Sequence, residues 1–224
     1  MAKRKKKKFA ELNTFTNVLQ IPYTELWNKD YKLKGKWAEQ VYGNTNPLVV
    51  ELGCGKAEYT LGLARMFPQK NFMGIDIKGE RIWRGAKTAL EEGLNNVFFV
   101  RAKIDFVDRL FGENEVSEIW LTFPDPQPTK RRAKKRLTSP NFLNMYKKIL
   151  VPDNTVHLKT DNDLLYEYTL EVLQEAGYPV LIKTDDVYRD YPDDEILGIK
   201  TFYEQMFLGE GKKIKYIRFS IPKE

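Results

Sequence analysis

Two patterns of apolar residues alternate along this chain. Short unbroken apolar runs suit buried strands, and stretches with apolar residues three and four apart suit helices. Residues 47–52 and 71–76 form two such runs, and the stretch 58–66 between them has helical spacing. Residues 79–92 place Ile82, Ala86, Ala89 and Leu90 on one helical face, and Gly93 supplies a stop. Strands are predicted again at 97–100 and 117–123. Ser139 or Asn141 caps a helix running to about Leu150, with Pro152 beyond it. A fifth strand covers 155–159, and Asp161 or Asn162 opens a helix that Gly177 ends. Residues 179–183 and 213–220 read as two closing strands, and 185–198, rich in acid and proline, as a long loop.

Such alternation predicts an α/β fold of the doubly wound type, with a mostly parallel sheet wrapped by helices. No internal repeat and no second domain is visible. A basic N-terminal arm and lead-in at 1–46 is therefore expected to precede one domain at 47–224.

Charge changes this picture only once it is located. The net charge is +6, and residues 3–8 hold six of the 37 basic residues; without them 31 basic residues face 31 acidic ones. Residues 130–136 hold six more, leaving 25 against 31. The body is mildly acidic and its positive charge sits in two blocks, which suits a polyanionic partner such as nucleic acid. No amphipathic apolar face accompanies the N-terminal block, which weakens a membrane-surface role. No apolar run is long enough to span a membrane and no signal-peptide core is present, so a cytoplasmic protein is expected. Cys54 is the single cysteine, which excludes an internal disulfide and a cysteine-based zinc cluster, and no metal is expected. His157 is the single histidine and lies in a strand-like run, where a sheet-face role is favoured over a catalytic one.

The stretch Phe-Pro-Asp-Pro-Gln-Pro-Thr-Lys-Arg-Arg-Ala-Lys-Lys-Arg-Leu at 123–137 carries the most chemical information. Two prolines flank Asp125, so the segment cannot be the middle of a helix or of a paired strand. A rigid acid at a strand end, beside a dense basic run, suits a site that handles a base and grips the phosphates around it.

The turn after the first strand reads Glu51-Leu52-Gly53-Cys54-Gly55-Lys56-Ala57-Glu58. In doubly wound sheets ligands bind beyond the carboxyl ends of the strands, and glycines let the backbone bend and approach them. The dinucleotide fingerprint G-x-G-x-x-G fails here, because Glu58 holds its third glycine position. Glu51 and Glu58 would also repel a pyrophosphate. S-adenosylmethionine carries no phosphate and is cationic at sulfur and nitrogen, so it suits an acid-G-x-G turn. Asp76, at the end of the second strand, is placed to accept both ribose hydroxyls.

Together these motifs resemble the bacterial tRNA (guanine-N7)-methyltransferases. The matching pieces are ELGCGKAE at 51–58, GIDIK at 74–78, PDPQPTKRRAKKRL at 124–137, KTDN at 159–162 and TFYE at 201–204. The resemblance implies a class I methyltransferase (Rossmann-like) fold with a seven-stranded sheet whose last strand is antiparallel. It implies S-adenosylmethionine as donor and a variable-loop guanine of tRNA as acceptor, with the enzyme a monomer or homodimer. By position, Glu51, Gly53, Gly55, Asp76, Lys103 and Asp125 are the expected cofactor residues, with Asp125 also catalytic. Asp161, Thr201, Phe202, Tyr203, Glu204, Thr129, Lys130, Arg131 and Lys134 are the expected substrate contacts.

Three departures from the family pattern stand out. Ala57 replaces a usual third glycine. Lys103 stands where the family has an acid or amide that reads the adenine amino group, and a lysine cannot accept from that group. Gln127 and Thr129 replace a usual tryptophan and a substrate-contacting lysine, with Lys130 one position further on. Two rival functions are methylation of another RNA base and non-catalytic RNA binding on the same scaffold. The D/N-P-P-Y/F motif of amine methylation is absent, Pro124-Asp125-Pro126-Gln127 standing in its place.

Overall fold

Strand and helix alternate as the apolar pattern requires, with most bounds close to those predicted; the strand expected at 155–159 begins earlier, at Leu150. A computed structural model describes the backbone of residues 2–223 and the side chains of residues 7–223. The side chains of Lys3, Arg4, Lys5 and Lys6 in the N-terminal block lie outside the described residues. The chain divides into two compact units, Met1–Gly112 and Glu113–Glu224.

The first unit opens with α1 (Ala2–Leu12) and the short strand β1 (Val18–Gln20). It continues with β2 (Leu48–Leu52), α2 (Glu58–Met66), β3 (Asn71–Asp76), α3 (Gly79–Glu91), β4 (Val97–Arg101) and α4 (Val107–Leu110). Its strands lie in the order β1-β4-β3-β2, every pair parallel, so their carboxyl ends share one edge. β2 and β3 are buried at every position. That is why they read as continuous apolar runs rather than alternating ones.

β1 is an addition to the predicted strands. Val-Leu-Gln is too short to register as an apolar run, and β1 forms by pairing with β4, Val18 opposite Phe99 and Gln20 opposite Arg101. The lead-in around it is firmly seated. Trp37 is fully buried, its Nε1 donates to Leu110 O at 2.8 Å, and its ring lies 5.8 Å from that of Tyr31 and 5.9 Å from that of Phe111. The segment expected as an arm and lead-in therefore contributes a helix and a strand to the first unit. α1 sits against α3: Trp83 Nε1 donates to Glu11 Oε2 at 3.0 Å, and Lys8 Nζ lies 4.4 Å from the Trp83 ring centre.

The second unit contains β5 (Val116–Thr122), α5 (Pro140–Ile149), β6 (Leu150–Thr160) and α6 (Asp163–Glu175). It ends with β7 (Val180–Thr184), α7 (Val187–Asp190), α8 (Phe202–Gly209) and β8 (Lys215–Phe219). The order is β5-β6-β8-β7, with β5 parallel to β6 and β8 antiparallel to both of its neighbours. Ser139 precedes α5, whose first residue is Pro140, a position where the missing N–H costs nothing. Asn162 caps α6, its Oδ1 accepting from Leu165 N at 2.9 Å. The predicted loop at 185–198 carries α7, capped by Asp186. Among the described residues there are eight strands, mostly parallel, one more than the seven implied by resemblance, and the strand outside the predicted set is β1. Among the described residues no helix is long and apolar enough to cross a membrane.

Candidate functional site

In the first unit the turn after β2 is built from left-handed residues. Gly53 (φ 82°), Gly55 (φ 58°) and Ala57 (φ 65°) alternate with residues of negative φ, and the chain passes from strand to helix within five residues. Gly53 N and Cys54 N both donate to Ile75 O of β3, at 2.8 and 3.1 Å. A Cβ on Gly53 would meet no atom within 4 Å, and one on Gly55 would meet only Gly53 O at 4.0 Å. Backbone dihedral, not crowding, thus demands glycine, and the space above the turn is open to a ligand.

Carboxylates flank this turn. Asp76, buried at the end of β3, accepts from Gly55 N through Oδ2 at 3.0 Å and from Lys78 N through Oδ1 at 2.8 Å. Glu51, buried in β2, accepts from Thr60 N at 2.9 Å and from the Thr60 hydroxyl, both at the start of α2. Burial, reinforced by Glu51, Asp76 and Glu58, pushes the Cys54 thiol well above its ordinary pKa. The electrostatic character of the turn is acidic, as the sequence implied. The structure brings Glu51, Gly53, Gly55 and Asp76 together. Lys103 is exposed in the turn after β4, with Nζ 5.1 Å from the ring centre of Tyr23.

In the second unit β5 ends in a shaped loop. Phe123 takes φ 49° while its N–H donates to Lys159 O at 2.8 Å, and Gln127 takes φ 45°. Asp125 between them is exposed, and its Oδ1 accepts from Gln127 N at 3.0 Å, an Asx turn. Thr129 precedes a 3₁₀ turn, Lys130–Lys135, whose Lys130, Arg131, Arg132, Lys134 and Lys135 are all exposed.

Arg136 corrects the expectation that the whole basic run faces phosphate. It is buried, its Nε donates to Pro126 O at 3.0 Å and its Nη2 to Gln127 O at 3.1 Å, and the guanidinium lies 4.2 Å from the Tyr168 ring centre. A planar fork with fixed donors suits two adjacent carbonyls. Arg136 therefore fixes the Asp125 loop from within.

The 201–204 segment, expected to contact substrate, opens α8. Thr201 caps α8, its hydroxyl accepting from Glu204 N at 3.1 Å while Thr201 N donates to Glu204 Oε2 at 3.3 Å. Glu204 is fully buried and its Oε1 pairs with the equally buried Lys159 Nζ at 2.7 Å; Tyr188 OH donates to the same oxygen at 2.7 Å. Lys159 also donates to Leu197 O at 2.6 Å. Burial lowers the Lys159 pKa, and Glu204 opposes that shift. Thr201 and Glu204 are buried, and within this segment Phe202 (47% exposed) and Tyr203 (38%) face solvent. The signal for this was in the sequence, because T-x-x-E ahead of apolar residues is a helix-capping pattern. Asp161 is mostly covered, with Oδ2 3.1 Å from Lys212 Nζ. His157 stacks on Trp120 at 3.8 Å between ring centres, its Nδ1 2.7 Å from Tyr216 OH, which agrees with a sheet-face role.

A family model described as "Putative methyltransferase" matches residues 45–217. The tRNA (guanine-N(7)-)-methyltransferase of Christiangramia forsetii is 52% identical over 98% of this chain and 99% of its own length. That of Bacteroides fragilis is 49% identical over 100% of this chain and 88% of its own. That of Brevibacillus brevis is 35% identical over 84% of this chain and 86% of its own. Among solved structures, the 16S rRNA methyltransferase KamB superposes with TM-score 0.63 at 16% identity, covering 83% of this chain and 92% of that one. A second, an antibiotic-related methyltransferase, gives 0.60 at 16% identity over 93% and 98%. Those two likenesses carry the fold, an α/β fold of the class I methyltransferase type. At 52% identity along almost its whole length, the chain belongs to the tRNA (guanine-N(7)-)-methyltransferase family.

Proposed function

We propose that this chain transfers a methyl group from S-adenosylmethionine to N7 of a guanine in the variable loop of tRNA, in the cytoplasm. The observation that carries the reading is the open glycine turn flanked by the buried carboxylates of Glu51 and Asp76. Those residues fit the cofactor. Backbone at Gly53 and Gly55 leaves room for close approach, and the acidic surroundings suit a cationic ligand and repel a pyrophosphate. Asp76 and Glu51 are its polar anchors in this reading. Lys103 stays outside the assignment, because its ammonium lies over Tyr23. The continuous family match over residues 45–217 supports treating 47–224 as one catalytic domain.

Bound S-adenosylmethionine supplies an electrophilic methyl group on a cationic sulfur. Guanine N7 carries an in-plane lone pair, so the chain needs no base to unmask it, and its task is positioning. Asp125 is the proposed catalytic residue. Its Oδ1 is held by Gln127 N, and Oδ2 remains to accept from the N1–H and N2–H edge of guanine. Methylation leaves the purine cationic, and a fixed carboxylate stabilises charge that develops there. Asp161 is the second candidate for the base edge. The exposed Lys130, Arg131 and Lys134, with Thr129, hold tRNA phosphates, and Phe202 and Tyr203 offer exposed rings to the RNA.

The test is incubation of the full chain with labelled donor and unmodified tRNA transcript, followed by chemical cleavage at 7-methylguanosine. Cleavage in the variable loop is the expected result, and label on another atom or none at all would overturn the reading. Asp125→Ala should keep cofactor binding in calorimetry and abolish transfer; normal turnover would remove Asp125 from the mechanism.

A further inference from the structure

The first unit carries an aromatic and cationic surface that the assignments above do not use. After β1 the chain leaves the carboxyl edge of the sheet, Ile21 N donating to Arg101 O at 2.9 Å, and enters a 3₁₀ turn at Tyr23–Glu25. Leu26 next to it is fully buried and its carbonyl accepts from Arg109 Nη1 at 3.0 Å. That anchor fixes the backbone while the rings on either side stay in solvent, Tyr23 at 49% and Trp27 at 59% exposure. Their ring centres lie 6.0 Å apart, edge to face, and Trp27 meets Phe106 in the same way at 6.2 Å. Cations interleave with the rings: Lys103 Nζ lies 5.1 Å from Tyr23 and the Arg109 guanidinium 5.8 Å from Phe106. Lys29 and Lys32 are exposed in the same lead-in, against the exposed acids Glu25, Asp30 and Asp105.

We propose that Tyr23 and Trp27 form a stacking platform for an unpaired nucleotide of the tRNA, with Lys103 beside it for the adjoining phosphate. Rigid, half-exposed rings beside cations are what sequence-tolerant binding of unpaired RNA requires, because every base has a face to stack and every linkage a charge to neutralise. Parallel pairing places this turn on the same edge of the first unit as Gly53, Gly55 and Asp76, the edge where ligands of such sheets bind. The platform also gives Lys103 a role that its failure to match an adenine-reading acid leaves open. This inference rests on the tRNA reading above.

The test measures tRNA affinity, cofactor affinity and oligomeric state for the wild-type chain, Trp27→Ala and Trp27→Phe, with unmodified tRNA transcript as the probe. The expected result is roughly tenfold weaker tRNA binding in Trp27→Ala. Trp27→Phe should recover most of it, and cofactor affinity should not change. Unchanged tRNA affinity in Trp27→Ala would overturn the platform, as would a loss confined to cofactor binding or a change of oligomeric state alone. A wild-type chain that fails to bind or methylate tRNA would instead sink the functional reading on which the platform rests.

Discussion

The methyl group of Ala57 occupies the space that a side chain on Gly85 would need: a Cβ built at Gly85 stands 2.6 Å from Ala57 Cβ. The glycine turn and α3 thus approach as closely as they do because one of the two residues has no side chain. A glycine at position 57 would relax that demand. Gly85→Ala should destabilise the protein, since overpacking costs about 1–3 kcal/mol and outweighs the roughly 1 kcal/mol that alanine gains over glycine in a helix. Ala57→Gly combined with Gly85→Ala should recover much of the loss in urea denaturation. Recovery should stay incomplete, because Lys56 O would still lie 2.9 Å from the new methyl. Simple additivity of the two substitutions would show that the contact is not the cause.

Arg136 is a positioning residue for Asp125. Arg136→Lys keeps the charge but cannot donate to Pro126 O and Gln127 O together from one plane. If Asp125 acts as proposed, methyl transfer should fall roughly ten- to a hundredfold, since a small displacement of a catalytic group is costly. The loss should fall on kcat, with cofactor affinity unchanged. A variant with wild-type kcat would show that the loop keeps its shape without the guanidinium.

The Lys159–Glu204 pair should respond very differently to single and double substitution. Glu204→Gln keeps a hydrogen-bonding cap for Thr201 but leaves a buried ammonium without its countercharge, a loss of about 3–5 kcal/mol. Adding Lys159→Leu removes the stranded charge, so the double variant should be more stable than Glu204→Gln in urea titration. A double variant no better than the single one would mean that the carbonyls of Leu197 and Ile199, which also accept from Lys159, suffice to hold the charge.

Cys54 sets an alkaline limit on stability. Its thiol is held well above its ordinary 9.0 by burial and then by the carboxylates around it, so the unfolded chain loses this proton first. Above pH 9.0 the unfolded state binds fewer protons than the folded one, and stability falls as pH rises, by at most about 1.4 kcal/mol per pH unit from this group. Cys54→Ala should flatten the decline below pH 10, before the buried tyrosines Tyr42 and Tyr146 begin to contribute. Identical slopes in the two proteins would exclude the thiol.

What could be read from the sequence follows from where the information is local. α2 and β3 fall at the predicted bounds, because the glycine turn fixes the start of α2 and an apolar run marks β3. The acid-flanked turn was legible for the same reason. β1 was not, since three residues carry no periodicity and the strand exists only through its partner β4. Arg136 was misjudged for a related reason: sequence counts a cation as exposed charge, and only the fold shows that carbonyls await it inside. At 201–204 the sequence also carried a helix-capping pattern, T-x-x-E, which the structure shows as the start of α8.

Phe123 carries its own consequence. A bulky residue at φ 49° is costly for the backbone, yet its ring lies 5.9 Å from that of Phe207 and its N–H closes the last rung beside β6. Phe123→Gly would relieve the dihedral but give up the ring contact with Phe207, so it is no simple route to a more heat-tolerant protein. The awkward dihedral is the bend that turns the chain from the sheet into the Asp125 loop.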